Sequence, residues 1–495
     1  MTEPLILAID QGTSRTTGLM VGLDGVVRAR AHRDVPVRHP RPGWVEQDAS
    51  HLHESVLAAG REVVKAMGIV PAAIGVANQR ETLVVFDRRT LEPVAPAIVW
   101  QCRRSQDLCS ARRESGEEAE VRRRTGLLLD PYFTATKIEW LLRSQPELRP
   151  RAERGELCAG TVDTWLVARL TGGRAVVTDA GNASRTLLHR LGGDGFDADL
   201  AALFGVPAPL LAEVRPSAGR AGMTEPGVFA DREIPISGIA GDQQAALFGQ
   251  ACLSPGMSKN TYGTGSFVLA NAGTTPPDPG RGLLSTVAWR IGDQDTFALE
   301  GSIFVTGAAL TWLRDGLRLL TDLDEVGPLF DSVAGSNGCY FVPAFQGLGS
   351  PHWDPGARGG LLGLTGGVGR AHVVRAVVEA MAYRTREVIE AMESSAGLEF
   401  PELRVDGGAS VIDGLCQFQS DQLGIPVARA ASAETTGVGA ALLASVGEGL
   451  IDGPGVVAAS WRPGRRFMPA RPGTRPEQPY AGWRDALGRV RSYPA

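Results

Sequence analysis

The sequence predicts an α/β protein built from two related domains. Among its 495 residues are 62 glycines and 32 prolines, a share that is typical of a fold with many tight turns. Short apolar segments of strand length end in polar loops and alternate with segments of helix length, as they do in α/β folds. One strand and turn pattern recurs past the middle of the chain, and this recurrence indicates two domains.

The chain begins with a predicted hairpin. Residues 5–10 have the pattern of a buried strand, residues 11–14 that of a tight turn, and residues 17–21 that of a second strand. Asp24-Gly25 is typical of another hairpin turn, because both residue types are frequent in such turns. We therefore expect a further strand to start near residue 26.

A helix and two strands are predicted next. Residues 49–67 have the length of a helix, and residues 69–76 and 83–86 have the length of strands. The polar block 78–82 lies between these two strands. Because α/β folds place their sites in loops at strand ends, this block is a candidate site.

The second occurrence of the opening pattern follows residue 250. A strand at 234–239 and a helix at 243–250 precede it, and a turn containing Gly263 and Thr264 then leads into an apolar strand at 267–270. We therefore expect a domain boundary near residue 250.

The predicted domains are residues 1–250 and residues 251–495. The second domain contains a further glycine turn, Asp406-Gly407-Gly408. Glycine allows backbone N–H groups to approach a phosphate closely. Three such turns in one chain favour a phosphate site over ordinary hairpin turns.

Charge and composition exclude several classes of protein. The net charge of -5 and the isoelectric point near 5.9 give no basic footprint for nucleic acid. The lysine of a P-loop must follow a glycine, and none of Lys65, Lys137 and Lys259 does. There is neither an apolar stretch of about 18 residues nor a C-x-x-C pair. We expect a cytoplasmic protein without a membrane span or a zinc site.

Two aspartates adjoin the glycine turns. Asp10 precedes the first turn, and Asp242 lies where a strand passes into a helix. Phosphoryl transfer uses carboxylates to hold Mg²⁺ and to accept a proton from the attacking hydroxyl. The alternatives are a turn residue for Asp10 and a helix N-cap for Asp242.

Arg80 and Glu81 form a donor and acceptor pair in the polar block. A hydroxyl both donates and accepts, so the pair suits vicinal hydroxyls. A surface ion pair is the alternative. Trp100 and Tyr132 suit an aromatic wall against polyol carbons, and core packing is the alternative for both.

These motifs together are identified as those of the FGGY carbohydrate kinase family. The resemblance extends from Leu5 to about Gly449. It rests on motifs that follow one another in the family's order along the chain, at 10–13, 78–82, 98–103, 130–133, 238–246 and 260–265. It implies an actin-like ATPase fold, in which two ribonuclease-H-like domains hold ATP and glycerol in the cleft between them.

The resemblance also implies an activity and the residues that perform it. The reaction would transfer a phosphoryl group from ATP to glycerol, with Mg²⁺ as cofactor, in a homodimer or homotetramer. Asp242 would be the general base, and Asp10 and Asp242 would hold the metal. The substrate residues would be Arg80, Glu81, Trp100, Tyr132, Asp242, Gln243 and Phe267. The nucleotide residues would be Thr13, Ser14, Thr264, Gly307 and Gly408.

The sequence departs from the family pattern near the nucleotide. Thr17 stands where the family usually has arginine, and Arg15 lies two positions earlier on the same strand face. We hypothesise that Arg15 contacts phosphate instead. Thr311 replaces a usual glutamine and Ile412 a usual asparagine, although Ile412 would still offer adenine an apolar surface.

Known controls of relatives are not expected here. In the stretch 227–233, where some relatives bind fructose 1,6-bisphosphate, Arg232 lies between two acids, which weakens phosphate binding. No histidine occurs between His189 and His352, so the phosphohistidine of other relatives has no counterpart.

Three alternatives to a glycerol-phosphorylating enzyme remain at this point. One is a related kinase for another small polyol or triose, although the pocket residues match the glycerol pattern. The second is a non-catalytic regulator of sugar-kinase ancestry, against which the presence of Asp242 argues. The third is an actin-like or chaperone-like ATPase, but no residue pattern favours polymer or peptide contacts over a cleft for a small substrate.

Overall fold

A single large sheet runs through the molecule. The computed structural model describes residues 3–280 and 282–492, and in this part of the chain 13 strands form the sheet in the order β21-β20-β19-β13-β14-β16-β15-β11-β12-β5-β1-β2-β3. The strands are β1 (Leu5–Gln11), β2 (Arg15–Gly22), β3 (Val27–Asp34), β4 (Glu46–Gln47), β5 (Ala73–Asn78), β6 (Val84–Asp87), β7 (Ala97–Ile98), β8 (Leu157–Gly160), β9 (Val177–Asp179), β10 (Glu213–Arg215), β11 (Ala218–Met223), β12 (Pro235–Gly241), β13 (Ser258–Tyr262), β14 (Ser266–Gly273), β15 (Leu284–Ile291), β16 (Gln294–Ile303), β17 (Tyr340–Val342), β18 (Gly360–Leu362), β19 (Leu403–Asp406), β20 (Val427–Ala430) and β21 (Pro463–Phe467).

Helices cover both faces of this sheet. The α-helices are α1 (Ala49–Met67), α2 (Gln106–Glu114), α3 (Glu118–Thr125), α4 (Thr134–Ser144), α5 (Leu148–Glu153), α6 (Val162–Leu170), α7 (Ala180–Ala183), α8 (Ala198–Leu203), α9 (Asp242–Gly249), α10 (Gly307–Thr311), α11 (Val326–Asp331), α12 (Arg370–Ala396), α13 (Asp413–Leu423), α14 (Thr435–Gly447), α15 (Pro454–Ser460) and α16 (Gln478–Val490). Short 3₁₀ or π turns occupy Ala208–Leu210, Trp312–Gly316, Leu323–Glu325 and Gly408–Val411. None of the helices among the described residues is long and apolar enough to cross a membrane.

The two halves of the sheet have the same topology. In the first half, β1 pairs antiparallel with β2 and parallel with β5, which pairs parallel with β12. In the second half, β13 pairs antiparallel with β14 and parallel with β19, which pairs parallel with β20. Each half therefore has two antiparallel strands on one side of its first strand and two parallel strands on the other. The predicted α/β fold of two related domains is confirmed.

The predicted local elements are also confirmed. The first hairpin pairs Leu5 with Gly22 and Gln11 with Thr16. Helix α1 spans the predicted residues because its ends have clear signals. The Asp48 carboxylate accepts a hydrogen bond from the Ser50 N–H, and Gly68 ends the helix with φ 63°.

The two halves meet at one point in the sheet and more extensively through helices beside it. In the sheet, β11 and β15 share one residue pair, Ala218 with Ile291. Beside the sheet, α9 packs against α14 with backbones in close contact: a Cβ added to Gly439 would lie 1.8 Å from the Ala245 carbonyl oxygen. Helix α14 of the second half also packs on strands of the first half. The domain boundary near residue 250 stays a prediction.

Candidate active site between the two halves

The turn at residues 11–14, predicted to bind phosphate and here called the first phosphate turn, connects β1 to β2. It is closed by a hydrogen bond from the Gly12 N–H to the Arg15 carbonyl, at 2.9 Å, and it presents Thr13 and Ser14. A cluster of glutamines supports the turn from behind. Gln47 donates to the Thr13 carbonyl at 2.6 Å, and Gln79 donates to Gln47 at 2.9 Å.

The second phosphate turn collects the predicted nucleotide residues of the second half. The Gly307 N–H donates to the Gly263 carbonyl at 3.0 Å, and the Ala308 N–H donates to the Thr264 carbonyl at 3.1 Å. The Asp406-Gly407-Gly408 turn lies beside them, because a Cβ on Gly407 would be 2.5 Å from the Tyr262 carbonyl oxygen. Thr264, Gly307 and Gly408 therefore lie on one surface of the second half.

Asp242 begins α9 and remains accessible. Gly241, not Asp242, is the N-cap of this helix, so the capping alternative is wrong. The Oδ1 atom of Asp242 lies 3.2 Å from Arg80 Nε and accepts a hydrogen bond from the Gln243 N–H at 2.7 Å, and its Oδ2 atom accepts from Gln243 Nε2 at 3.2 Å. With 31% of its side chain exposed, Asp242 is held in orientation and still open to a ligand.

Arg80 and Glu81 are not a surface ion pair. Both side chains are buried, with Arg80 3% and Glu81 1% exposed, and each pairs with another residue. Arg80 Nη1 lies 2.5 Å from Glu300 Oε2, and Glu81 Oε1 lies 2.6 Å from Arg185 Nε. Glu81 also has a φ of 60°, a left-handed backbone rare for such a residue and frequent at functional sites.

Glu300 and Arg185 complete a chain of alternating charges that the sequence analysis missed. Arg185 Nη2 lies 3.0 Å from Glu300 Oε1, so Glu300 bridges the two arginines, and both residues are fully buried. Burial raises the pKa of Glu300, but Arg185 and Arg80 lower it more strongly, to about 2. The available signal was an acid placed directly after the apolar residues 297–299 in the interior of β16.

Two buried lysines were also missed. Lys137 Nζ donates to the carbonyls of Glu81, at 2.9 Å, and Tyr132, at 2.6 Å, and it thereby holds the unusual backbone at Glu81. Lys259 Nζ donates to Gln243 Oε1 and, at 2.9 Å, to Thr261 Oγ1. Burial lowers the pKa of each lysine to about 8. Their rarity in an arginine-rich chain was the signal that could have marked them.

Aromatic side chains from both halves surround this charge chain. The rings of Trp100 and Tyr132 meet edge to face at 5.7 Å, and the Arg80 guanidinium lies 5.5 Å from the ring centre of Phe267. Trp100 Nε1 also donates to Thr13 Oγ1 at 2.9 Å. Trp100 therefore joins the predicted substrate wall directly to the first phosphate turn.

Asp10 lies near the end of β1 in a strongly negative environment. Burial, followed by the charges of Asp242 and Glu434, raises the pKa of Asp10 to about 8. A bound cation would relieve this repulsion and stabilise the ionised carboxylate. The donor set therefore fits a divalent cation, although no group of three or more acidic, histidine or cysteine side chains in the described residues forms a complete metal site.

The residues that depart from the family pattern lie at the edge of this site. Arg15 is exposed, with its Nε 3.4 Å from Asp34 Oδ1, and Thr311 is exposed at the end of α10. Ile412 is 8% exposed and belongs to the core of the second half, whereas Val411 is 71% exposed. The exposed apolar side chain at this turn is therefore that of Val411, and the contact of Ile412 with adenine stays a prediction.

Comparison with known proteins assigns this arrangement to a class. Over 99% of its length the chain superposes, with a TM-score of 0.93 and 30% identity, on 98% of the crystal structure of Plasmodium falciparum glycerol kinase with ADP. It is 49% identical to the glycerol kinase of Rhodospirillum rubrum, across 99% of both chains. It is 46% identical to that of Carboxydothermus hydrogenoformans, across all of this chain and 99% of that one. The fold is that of the actin-like ATPases, with two ribonuclease-H-like domains.

The family follows from two further matches. Residues 5–249 match the N-terminal domain of the FGGY family of carbohydrate kinases, and residues 258–448 match its C-terminal domain. The chain belongs to the FGGY family of carbohydrate kinases, as its motifs predicted.

Proposed function

We propose that this protein transfers the γ-phosphoryl group of ATP to a terminal hydroxyl of glycerol, which yields ADP and sn-glycerol 3-phosphate. The observation that carries the proposal is the accessible Asp242 carboxylate, held by Arg80 at 3.2 Å beside a buried donor and acceptor pair. The glycerol kinases among its relatives support the choice of substrate.

Asp242 is the proposed general base. It accepts the proton of the terminal hydroxyl as that oxygen attacks the γ-phosphorus. The bond between the γ-phosphorus and the bridging oxygen breaks, and ADP leaves with the electron pair. Because Arg80 and Gln243 fix the two oxygens of Asp242, the carboxylate is oriented before the substrate binds.

Arg80 and Glu81 are the proposed hydroxyl clamp. The Nε and Nη1 atoms of Arg80 contact carboxylates, and its Nη2 atom is the one that would donate to a hydroxyl. Glu81 uses Oε1 to bind Arg185, which leaves Oε2 as an acceptor. Trp100 and Phe267 would cover the carbon atoms, with Tyr132 and Gln243 as further polar contacts.

The proposed nucleotide site consists of the two phosphate turns. Thr13, Ser14 and Arg15 would contact the phosphates from the first half, and Thr264, Gly307 and Gly408 from the second. Asp10 and Asp242 would hold Mg²⁺, which neutralises charge on the phosphates when it is bound. We further propose that the protein is cytoplasmic and forms a homodimer or homotetramer. Sedimentation velocity would test the oligomeric state.

The proposed substrate is tested by an acceptor panel. ADP release is measured with glycerol, dihydroxyacetone, erythritol, xylulose and water. We expect the highest kcat/KM with glycerol, because the clamp residues are those of the glycerol pattern. A higher value with another acceptor would instead establish the alternative of a kinase for a different small polyol or triose.

The first prediction concerns Arg15, whose exposed side chain could exchange its contact with Asp34 for one with a phosphate. We expect Arg15→Ala to raise the KM for ATP about tenfold, which corresponds to about 1.4 kcal/mol. The KM for glycerol should stay unchanged. Arg33→Ala is the matched control, since Arg33 lies on the neighbouring strand and pairs with Glu62. Unchanged KM for ATP and turnover in Arg15→Ala would show that the hypothesis is wrong.

The second prediction concerns the hydrogen bond from Trp100 to Thr13. Trp100→Phe keeps an aromatic wall and removes the N–H donor, whose loss is worth about 0.5–1.5 kcal/mol. We expect a threefold to tenfold rise, roughly, in the KM for ATP on that scale and little change in the KM for glycerol. Trp140→Phe is the control, because Trp140 packs on Trp44 in the same apolar cluster but, in the part of the chain that the structure describes, forms no hydrogen bond with Thr13. A rise confined to the KM for glycerol would limit Trp100 to the substrate wall.

A further inference from the structure

We propose that Glu300 and Arg185 are positioning residues that set the orientation of the hydroxyl clamp, and that Glu300 does so from the opposite half of the molecule. This inference rests on the proposed function, because it explains how Arg80 and Glu81 are held for an acceptor hydroxyl. Neither residue is among those predicted to touch substrate or nucleotide.

The geometry gives Glu300 two distinct partners. Its Oε2 atom lies 2.5 Å from Arg80 Nη1, and its Oε1 atom lies 3.0 Å from Arg185 Nη2. Arg185 in turn binds Glu81 Oε1 at 2.6 Å. One carboxylate therefore orients the donor of the clamp directly and its acceptor through Arg185.

The placement of these residues links the clamp to both halves. Glu300 belongs to β16 of the second half, whereas Arg80, Glu81 and Arg185 belong to the first. Strand β16, which carries Glu300, is the direct neighbour of β14, which carries Phe267 of the proposed substrate wall. Phe267 pairs with Ser302, two positions after Glu300. Glu300 can therefore hold the clamp only when the second half is close enough for it to reach Arg80 and Arg185, as it is in this structure.

The energetics favour a functional reason for this buried network. A buried ion pair contributes little net stability compared with well-packed apolar residues. Arg185 also keeps its Nη1 atom buried without a hydrogen-bond partner among the described residues, which is costly. A network optimised for stability alone would not retain such a group.

The network also explains why Arg80 can serve two carboxylates and a substrate. Asp242 contacts its Nε atom and Glu300 contacts its Nη1 atom, on opposite sides of the guanidinium. Because a guanidinium is planar and rigid, fixing these two atoms also fixes the direction of Nη2. Without Glu300, Arg80 would lose its shortest contact and keep the longer ones to Asp242, at 3.2 Å, and Gln244, at 3.4 Å.

The test is Glu300→Gln, which removes the charge and keeps the shape. With the wild-type enzyme's preferred acceptor, we expect the KM for that acceptor to rise at least about tenfold, as for an interaction of about 1.4 kcal/mol. The KM for ATP should change less than about twofold. Arg185→Gln should have the same effect, and the double variant should be no worse than either single one, because the two residues act through one network.

Glu379→Gln is the matched control. Glu379 is also a buried acid, 5% exposed, and is paired with Arg375 at 2.7 Å in helix α12. It should lower stability and leave both KM values unchanged. Glu300→Asp serves if Glu300→Gln does not fold: it keeps the charge, but its shorter side chain cannot reach both arginines, so the same rise in the acceptor KM is expected.

Two results would overturn the proposal. One is an unchanged acceptor KM in the folded Glu300 variant, and the other is an equal rise of the KM values for acceptor and ATP, which indicates general loosening. The acceptor panel with the wild-type protein tests the substrate separately. A different preferred acceptor would refute glycerol as substrate and leave the positioning role to be judged on that acceptor.

Discussion

Replacing Asp242 by asparagine is expected to lower kcat at least about 100-fold, the low end of the effect of a general base. Asparagine keeps the shape of the side chain and one of its two acceptor oxygens but cannot accept the proton. The KM for glycerol should change much less, because Arg80, Glu81 and Gln243 remain. Single-turnover measurements at saturating ATP and glycerol would isolate the chemical step.

A matched control is available for this variant. Asp197 also stands at the start of a helix, where it accepts hydrogen bonds from the N–H groups of Asp199 and Leu200 at the N-terminus of α8. Asparagine is an equally good cap there, so Asp197→Asn should retain full activity. If Asp242→Asn turned over as fast as the wild type, Asp242 would not be the base.

The second large effect is expected for Arg80→Ala. This change leaves Asp242 without its cation and leaves Glu300, which is fully buried, with Arg185 as its remaining arginine. Removing one partner of a buried ion pair costs about 3–5 kcal/mol, so the free energy of unfolding should fall by about that amount. Activity with glycerol should be lost as well, because the clamp loses its donor.

Urea unfolding, followed by circular dichroism in the absence of ligands, measures the free energy of unfolding of Arg80→Ala and of the wild type. Arg123→Ala is the control, since Arg123 forms an exposed pair with Glu120 in helix α3 and such pairs contribute at most about 1 kcal/mol. Arg80→Lys should restore part of the stability but little activity, because lysine cannot reproduce the fork that contacts Asp242 and Glu300. A stability loss below about 1 kcal/mol in Arg80→Ala would contradict the role of the buried network.

Elements with strong local signals were predictable from the sequence. Helix α1 was predicted with both of its ends from its length alone, and the cap at Asp48 and the left-handed Gly68 in the structure agree with those ends. The hairpin of β1 and β2 was predictable because a buried apolar run met a glycine turn. The family was identified for the same reason, since its motifs are contiguous segments at the ends of such strands.

The charge network was not predictable in this way. Arg80 and Glu300 are separated by 220 positions in the chain, and Glu81 and Arg185 by 104. No local pattern specifies which of many charged residues meet, because the pairing depends on how β16 and the loop after β5 are brought together by the sheet. The same holds for Lys259, which reaches Gln243 from the opposite half.

By itself the sequence determined the fold class, the two related halves and the family, and it predicted the phosphate turns and the residue types of the proposed clamp. These features depend on local backbone preferences and on strand ends, which neighbouring residues specify. The tertiary structure alone decided that Asp242 is oriented by Arg80 and not used as a helix cap, and that Glu300 links the clamp to the second half. Ion pairs form between groups that folding brings within a few ångströms of each other, and that proximity is a property of the assembled sheet.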